Sequence, residues 1–186
     1  MIDPAAFAVS EPLRNGLVVT IRALRPDDRE RIAQAVGRLD RESIYLRLFS
    51  YRRELTQAGL DRIMHSDPER EVVLVATVDG GGRETVVASG RYVTGTAAEG
   101  RRAAEIAFMV EENYHGLGIA GRLLGHLAGI ARAKGITAFD ADVLAGNKAM
   151  LAVLARSGLT MHKRQDGSVV HVTLSLQPES PRAAND

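Results

Sequence analysis

Cysteine is absent from the 186-residue chain. This absence excludes disulfide bonds, zinc sites built on thiolates and a cysteine nucleophile. Long apolar runs are also missing, since the run from Val72 to Val78, interrupted by Thr77, is far shorter than the roughly 20 residues of a membrane-spanning helix. The first ten residues lack a basic segment followed by an apolar stretch and so do not resemble a signal peptide. We therefore expect a cytoplasmic protein without a membrane partner.

Lysine is scarce, because only Lys134, Lys148 and Lys163 occur among the 24 basic residues. We interpret this preference for arginine as a compositional bias. The basic residues are balanced by 23 acidic ones, and the net charge is +1. This balance argues against a nucleic-acid-binding surface. With 45% hydrophobic and 25% charged residues, the chain has the composition of a globular protein rather than a disordered or fibrous one.

The hydrophobic pattern alternates between the periods of strands and helices, in the order βαααβββαβαββ. Hairpins around one βαβ crossover predict an α/β (α+β) fold with a mixed, mostly antiparallel sheet of about seven strands and helices on both faces. We expect one domain at 16–176, a flexible N-terminal segment at 1–15 and a flexible tail at 177–186. The predicted strands are 17–23, 71–78, 84–94, 102–110, 136–143, 159–164 and 168–176, and the predicted helices are 26–39, 42–49, 56–65, 117–134 and 147–157.

The most informative segment is a glycine-rich turn that follows a predicted strand and opens a helix. Small residues at Gly116, Gly118, Ala120 and Gly121 leave backbone N–H groups accessible, and the helix start adds about half a positive charge. Such a turn can bind a pyrophosphate, although a turn that only joins a strand to a helix can look the same. A P-loop is disfavoured because no lysine precedes Lys134, and a dinucleotide-binding fold is disfavoured because the turn lies past the middle of the chain.

The segment from Tyr114 to Leu124 resembles the acyl-CoA pyrophosphate loop of the GNAT family of N-acetyltransferases, whose motif is Gln/Arg-x-x-Gly-x-Gly/Ala. His115, Gly118 and Ala120 occupy the three defined positions, and histidine replaces the usual Gln or Arg. The resemblance extends over nearly all of residues 17–176. The segments DRESIYLRLFS, DPEREVVLVA, AEIAFMV and NKAMLAVLARSGL resemble the bacterial protein lysine acetyltransferases, which acetylate acyl-CoA synthetases.

The resemblance implies a site for acetyl-CoA. No metal is expected, because the histidines at 65, 126, 162 and 171 show no metal-ligand spacing with one another or with acidic residues. The resemblance places backbone N–H groups near Met109 and Val110, at a bulge in the strand, against the acetyl oxygen and the pantetheine arm. It gives Asn147 a contact with the same arm, whereas a helix N-cap is the alternative role for this residue. Leu154 stands where many members of the family carry a tyrosine general acid. The residues implied to bind the cosubstrate are Met109, Val110, His115, Gly116, Leu117, Gly118, Ile119, Ala120, Gly121, Arg122 and Asn147.

Glu105 is the predicted catalytic base. Its neighbours Ile106 and Phe108 would reduce the hydration of the carboxylate, and the match to a glutamate of the lysine acetyltransferases favours catalysis over a solvated surface charge. A lysine amine with a pKa of about 10.4 is almost entirely protonated at neutral pH, so acyl transfer requires a proton acceptor. Such a base typically contributes about 10²- to 10⁴-fold in rate. Glu111 and Glu112, at the end of the strand, are reserve candidates and are expected to be solvated.

The helix after the turn carries Gly121, Gly125 and Gly129 at four-residue spacing. Each glycine inside a helix costs about 1 kcal/mol relative to alanine, so this spacing predicts close approach by another backbone or by the cosubstrate, with simple tolerance as the alternative. Arg122, in the first turn, is a candidate contact for a CoA phosphate or else a solvated arginine.

Three functions fit these residues. The first is acetyl transfer to a protein lysine, for example on an acyl-CoA synthetase, in a direct ternary complex. The second is acetylation of a small amine such as a polyamine or an aminoglycoside. The third is a non-catalytic acyl-CoA sensor that binds a partner through residues 26–65. This hypothesis remains because Leu154 replaces the tyrosine general acid. We expect a monomer or a homodimer.

Overall fold

A computed structural model of the protein describes residues 4–39, 57–95 and 102–177. The helix predicted at 42–49 lies outside these residues. The strands are β1 Ala8–Pro12, β2 Val18–Ala23, β3 Glu71–Asp79, β4 Glu84–Thr94, β5 Ala103–Val110, β6 Ala138–Leu144, β7 Thr160–Asp166 and β8 Val169–Ser175. The helices are α1 Arg29–Gly37, α2 Gln57–Met64, α3 Ile119–Ala133 and α4 Lys148–Ala155, with short 3₁₀ helices at Pro4–Ala6, Pro26–Asp28 and Glu112–Tyr114.

The strands form one sheet in the order β1-β2-β3-β4-β5-β6-β8-β7. Every neighbouring pair is antiparallel except β5 and β6, which are parallel and are joined by the crossover through α3. The predicted mixed, mostly antiparallel fold is therefore confirmed. None of the helices in the described ranges is long and apolar enough to span a bilayer.

The sheet has eight strands rather than about seven, because the segment 1–15, expected to be flexible, contains β1. This strand pairs with β2 along its whole length. The hairpin is closed by the Leu13 N–H, which donates to the Leu17 carbonyl at 2.7 Å, and by Gly16 at a φ of +83°. An edge strand buries few side chains, so its apolar pattern is weak. The Asn15-Gly16 pair is the hairpin signal that could have revealed it.

Both faces of the sheet are covered by helices. On one face, Leu123 and Leu127 of α3 are fully buried in the larger core cluster. Burial of each leucine contributes about 1.5–3 kcal/mol, so α3 is held firmly against the sheet. Gly90 of β4 makes room for this packing, because a Cβ there would lie 2.9 Å from the Phe108 ring.

The opposite face packs against α1 and α2 through a smaller apolar cluster. Ile32 of α1 and Leu60 of α2 contact the sheet there, together with Met109 of β5. Side chains alternate along a strand, so Met109 and Val110 lie on different faces of β5. Residues of β5 therefore reach both the α3 side and the α1–α2 side of the sheet.

Candidate active site

Strands β5 and β6 separate partway along their length. They pair at three positions, from Ala103 with Ala138 to Glu105 with Asp140, and not beyond. β5 itself continues to Val110 in register with β4. The helix α3 begins just after this opening, so its N-terminus lies beside the place where the strands part. In sheets of this kind, ligands bind where neighbouring strands diverge and a helix begins.

A cavity of about 530 Å³ lies at this opening. Three arginines and no carboxylate line it within the described part of the chain, which suits an anionic ligand. Of the predicted site residues, the cavity brings together Val110, His115, Gly116, Gly118, Ile119, Ala120, Gly121, Arg122 and Asn147, whereas Glu105, Met109 and Leu117 do not line it. The lining residues that sequence reasoning missed are Arg14, Tyr114, Ala149, Met150, Ala152, Val153, Arg156 and Ser157.

The glycine-rich turn has a backbone that only glycine adopts easily. Gly116 and Gly118 have φ angles of +73° and +89°. A Cβ on Gly118 would also lie 2.8 Å from Nη1 of Arg122. Gly118 is the N-cap of α3 and, as a glycine, provides no side-chain cap for the first turn of the helix. The N–H groups of its first turn are thus suited to bind phosphate oxygens.

His115 occupies the first position of the loop motif and makes a structural contact. Its Nε2 lies 2.9 Å from the carbonyl oxygen of Val110 and donates a hydrogen bond to it. The ring therefore ties the loop to the end of β5. The Nε2 of the histidine that replaces Gln or Arg in the motif is thus occupied by a hydrogen bond within the protein.

Asn147 is the N-cap of α4. Its Oδ1 accepts a hydrogen bond from the Met150 N–H at 3.1 Å. The same residue lines the cavity from the β6 side. Capping therefore fixes Asn147 at the wall where the pantetheine arm is expected.

The bulge expected in β5 lies instead on its neighbour β4. The register between β3 and β4 shifts so that Val87 is the extra residue, while β5 pairs regularly with β4. The Glu111 N–H donates to the Val87 carbonyl at 2.9 Å. Because N–H groups alternate in direction along a strand, the Met109 N–H also faces β4, and the Val110 N–H faces the opening. Of the two predicted backbone donors, Val110 is the one directed toward the cavity.

Glu105 lies on the α1–α2 face of β5, and its side chain is exposed. Ile106 and Phe108 belong to the core on the opposite face, so the reduced hydration expected from them is not found. Asp140 of β6 stands directly beside Glu105 in the parallel pairing and accepts a hydrogen bond from Thr173 Oγ1 at 2.6 Å. The carboxylate of Glu105 therefore faces the side of the sheet away from α3.

Residues 38–159 match the model of the acetyltransferase (GNAT) family. The chain belongs to this family. It is 32% identical over 163 residues to the acetyltransferase PA5475 of Pseudomonas aeruginosa, an alignment that covers 87% of this chain and 86% of the relative. The curated relatives of this chain are acetyltransferases by name, and the chain is accordingly an N-acetyltransferase.

Two further similar proteins bear the names Pat and PAT. Over 178 residues, the chain is 33% identical to the acetyltransferase Pat of Mycolicibacterium smegmatis, covering 94% of this chain and 51% of that protein. The chain therefore spans about half the length of Pat. The crystal structure of the GNAT domain of S. lividans PAT superimposes with a TM-score of 0.78 at 31% identity, covering 90% of this chain and 96% of that one.

One carboxylate and one leucine complete the comparison with the GNAT motifs. Glu111, expected to be solvated, is only 8% exposed, and its Oε2 lies 2.8 Å from Nε of Arg38. This ion pair joins the end of α1 to the end of β5. Leu154, at the position of the usual tyrosine, is buried in the core. No group of three or more metal-binding side chains occurs in the ranges that the structure describes.

The glycines of α3 have open space beside them in the part of the chain that the structure describes. At Gly121, Gly125 and Gly129, a Cβ would meet no atom within 4 Å in the described ranges. Close approach by another backbone, one of the two alternatives predicted from their spacing, is therefore not found among the described residues. Gly121 nevertheless lines the cavity, whereas Gly125, one turn later, does not.

This difference gives a matched pair of substitutions. Gly121→Ala and Gly125→Ala should each stabilise the fold by up to about 1 kcal/mol, since alanine is the better helix former and both sites are open. Only Gly121→Ala should weaken binding of CoA, by about five- to tenfold, because its methyl group takes up space at the cavity wall. Thermal unfolding and calorimetric titration check both effects. Equal loss of affinity in the two variants, or a lower melting temperature in Gly125→Ala, would contradict this assignment.

Proposed function

We propose that this chain transfers the acetyl group of acetyl-CoA directly to the ε-amine of a lysine on another protein, with an acyl-CoA synthetase as the candidate acceptor. The observation that carries this proposal is the arrangement along β5. One end of the strand, at Val110, borders a cavity suited to an anionic ligand, and Glu105 presents an exposed carboxylate on the α1–α2 face of the same strand. Similarity to Pat and to the GNAT domain of PAT supports the choice of a protein acceptor.

The charge of the cavity lining supports acetyl-CoA as the ligand. The first turn of α3 offers N–H donors to the pyrophosphate, and the gap between β5 and β6 accommodates the pantetheine arm beside Asn147. The Val110 N–H faces this gap and would stabilise the negative charge that develops on the thioester oxygen.

The reaction requires one proton acceptor and no covalent enzyme intermediate. The lysine nitrogen attacks the thioester carbon, a C–N bond forms, and the C–S bond breaks to release CoA. Glu105 takes the proton of the amine, directly or through water. The leucine side chain at 154 has no acidic proton to donate, so CoA leaves as a thiolate, with a thiol pKa of about 8.5, or takes a proton from solvent. The chain has no cysteine to form an acyl-cysteine intermediate.

Labelled acetyl-CoA tests this proposal. The full chain is incubated with an acyl-CoA synthetase in one arm and with a polyamine in another, and binding of CoA is measured separately. We expect label on a lysine of the synthetase. Label on the polyamine alone would overturn the protein acceptor. Binding of CoA without any transfer would favour an acyl-CoA sensor, and absence of CoA binding would overturn the cosubstrate itself.

A further inference from the structure

The N-terminal hairpin adds an arginine to the cosubstrate cavity. We infer that Arg14 is the guanidinium that binds the pyrophosphate of acyl-CoA, and that Arg122 is held away from this role by Glu11. This inference rests on the proposed use of acetyl-CoA. It assigns the contact to a residue far from the loop motif, between β1 and β2.

Arg14 is positioned by the turn that carries it. The preceding residue, Leu13, is only 4% exposed and anchors the hairpin in the core. On the other side, Asn15 Oδ1 accepts a hydrogen bond from the Leu17 N–H at 3.2 Å, which fixes the shape of the turn. The turn therefore holds the backbone of Arg14 at a defined place while its side chain is exposed.

The side chain of Arg14 reaches the glycine-rich loop. Its Nη1 lies 3.4 Å from the carbonyl oxygen of Gly116. Its Nε would lie 3.8 Å from a Cβ built on Gly118, the residue that begins α3. The N–H groups in the first turn of α3, which begin here, are the groups proposed to bind the phosphate. The long contact with Gly116 leaves the other donors of the guanidinium available to an anion.

Arg122 also lines the cavity, but its nitrogens are already engaged. Its Nε lies 3.0 Å from Oε2 of Glu11, and its Nη2 donates to the Pro12 carbonyl at 2.7 Å. Oε1 of Glu11 in turn lies 2.7 Å from Nε2 of His126. Glu11 thus ties β1 to two successive turns of α3. The Nη1 of Arg122 is directed at the Gly118 carbonyl at 3.4 Å, so each guanidinium nitrogen of Arg122 already has a partner, and phosphate binding through Nε would require the ion pair with Glu11 to break.

The role of Arg14 is tested by comparing ligands that differ in which phosphate groups they carry. Calorimetry on the full chain compares CoA, dephospho-CoA, which keeps the pyrophosphate, and pantetheine, which has none. We expect Arg14→Ala to bind CoA and dephospho-CoA about tenfold more weakly, the loss of one charge-assisted hydrogen bond, and to bind pantetheine like the wild type. Arg14→Lys should recover part of the affinity. Arg164→Ala, which removes the same charge from exposed β7, is the control.

Arg122→Ala distinguishes the role of Arg122 from that of Arg14. It should lower the melting temperature more than Arg14→Ala does, since it breaks the tie to β1, and weaken CoA binding less. The inference is overturned if Arg14→Ala binds CoA like Arg164→Ala, or if the effect of Arg14→Ala disappears with dephospho-CoA and thus belongs to the 3′-phosphate. If the wild type itself fails to bind CoA, it is the proposed function that fails.

Discussion

Replacement of Glu105 by glutamine should lower kcat for acetyl transfer to a protein lysine by about 10²- to 10⁴-fold. Glutamine keeps the size of the side chain but cannot accept the proton of the incoming ammonium group. Glu105 does not line the cosubstrate cavity, so the affinity for acetyl-CoA should remain unchanged. Initial rates at saturating acetyl-CoA, together with calorimetric titration of CoA, measure the two quantities.

Asp140→Asn is the matched control for Glu105→Gln. Asp140 lies beside Glu105 on the same face and carries the same charge. If the carboxylates act only by attracting a cationic acceptor, both substitutions should raise KM and lower kcat little. A specific loss of kcat in Glu105→Gln, absent from Asp140→Asn, identifies proton transfer. Equal losses in the two variants would refute the assignment of Glu105 as the base.

The elements that form the cavity were largely predictable, because local sequence determines them. A strand, two glycines at positive φ and a helix follow one another between 103 and 133, and the apolar period together with glycine reveals each of them. The opening between β5 and β6 is less accessible to such reasoning. It depends on where the pairing of two strands ends, which is a property of the whole sheet.

The contacts made by distant residues were missed for the same reason. Arg14 enters the cavity only because an edge strand of weak apolar pattern pairs with β2, and nothing near Arg14 indicates its partner. Likewise, Glu111 was expected to be solvated because its partner, Arg38, lies 73 positions earlier in the chain and nothing near Glu111 indicates it. The environment of Glu105 was misjudged because Ile106 and Phe108, although close to it in sequence, lie in the core on the opposite face of β5.

The largest loss of stability is expected from Asp28→Ala. Asp28 is 0% exposed and accepts two hydrogen bonds from Arg22, at 2.7 and 2.8 Å, and a third from the Arg25 N–H at 2.8 Å. Nε of Arg22 also bonds Glu84 at 2.9 Å, so one guanidinium joins β2, β4 and the start of α1. Removal of Asp28 leaves a buried cation without its main partner, which should cost about 3–5 kcal/mol.

Asp27→Ala is the control for this substitution. The neighbouring carboxylate is 67% exposed and pairs with Arg31 at the surface. Its removal should change the free energy of unfolding by no more than about 1 kcal/mol. Chemical denaturation of the two variants measures the contrast. Similar losses in both would show that the buried pair contributes no more than a surface one.

Because of this ion pair, the difference in unfolding free energy between the wild type and Asp28→Ala should depend on pH. Burial alone would raise the pKa of Asp28, but hydrogen bonds from Arg22 and from the Arg25 backbone lower it overall. Since the folded protein holds this carboxyl ionised below its ordinary pKa of about 3.9, the stability it provides is fully present above that pH and is lost as the pH falls through the lowered value. The difference in unfolding free energy between wild type and Asp28→Ala should therefore be constant near neutrality and shrink below about pH 4. A difference that stays constant throughout acid unfolding would mean that the charge of Asp28 does not stabilise the fold.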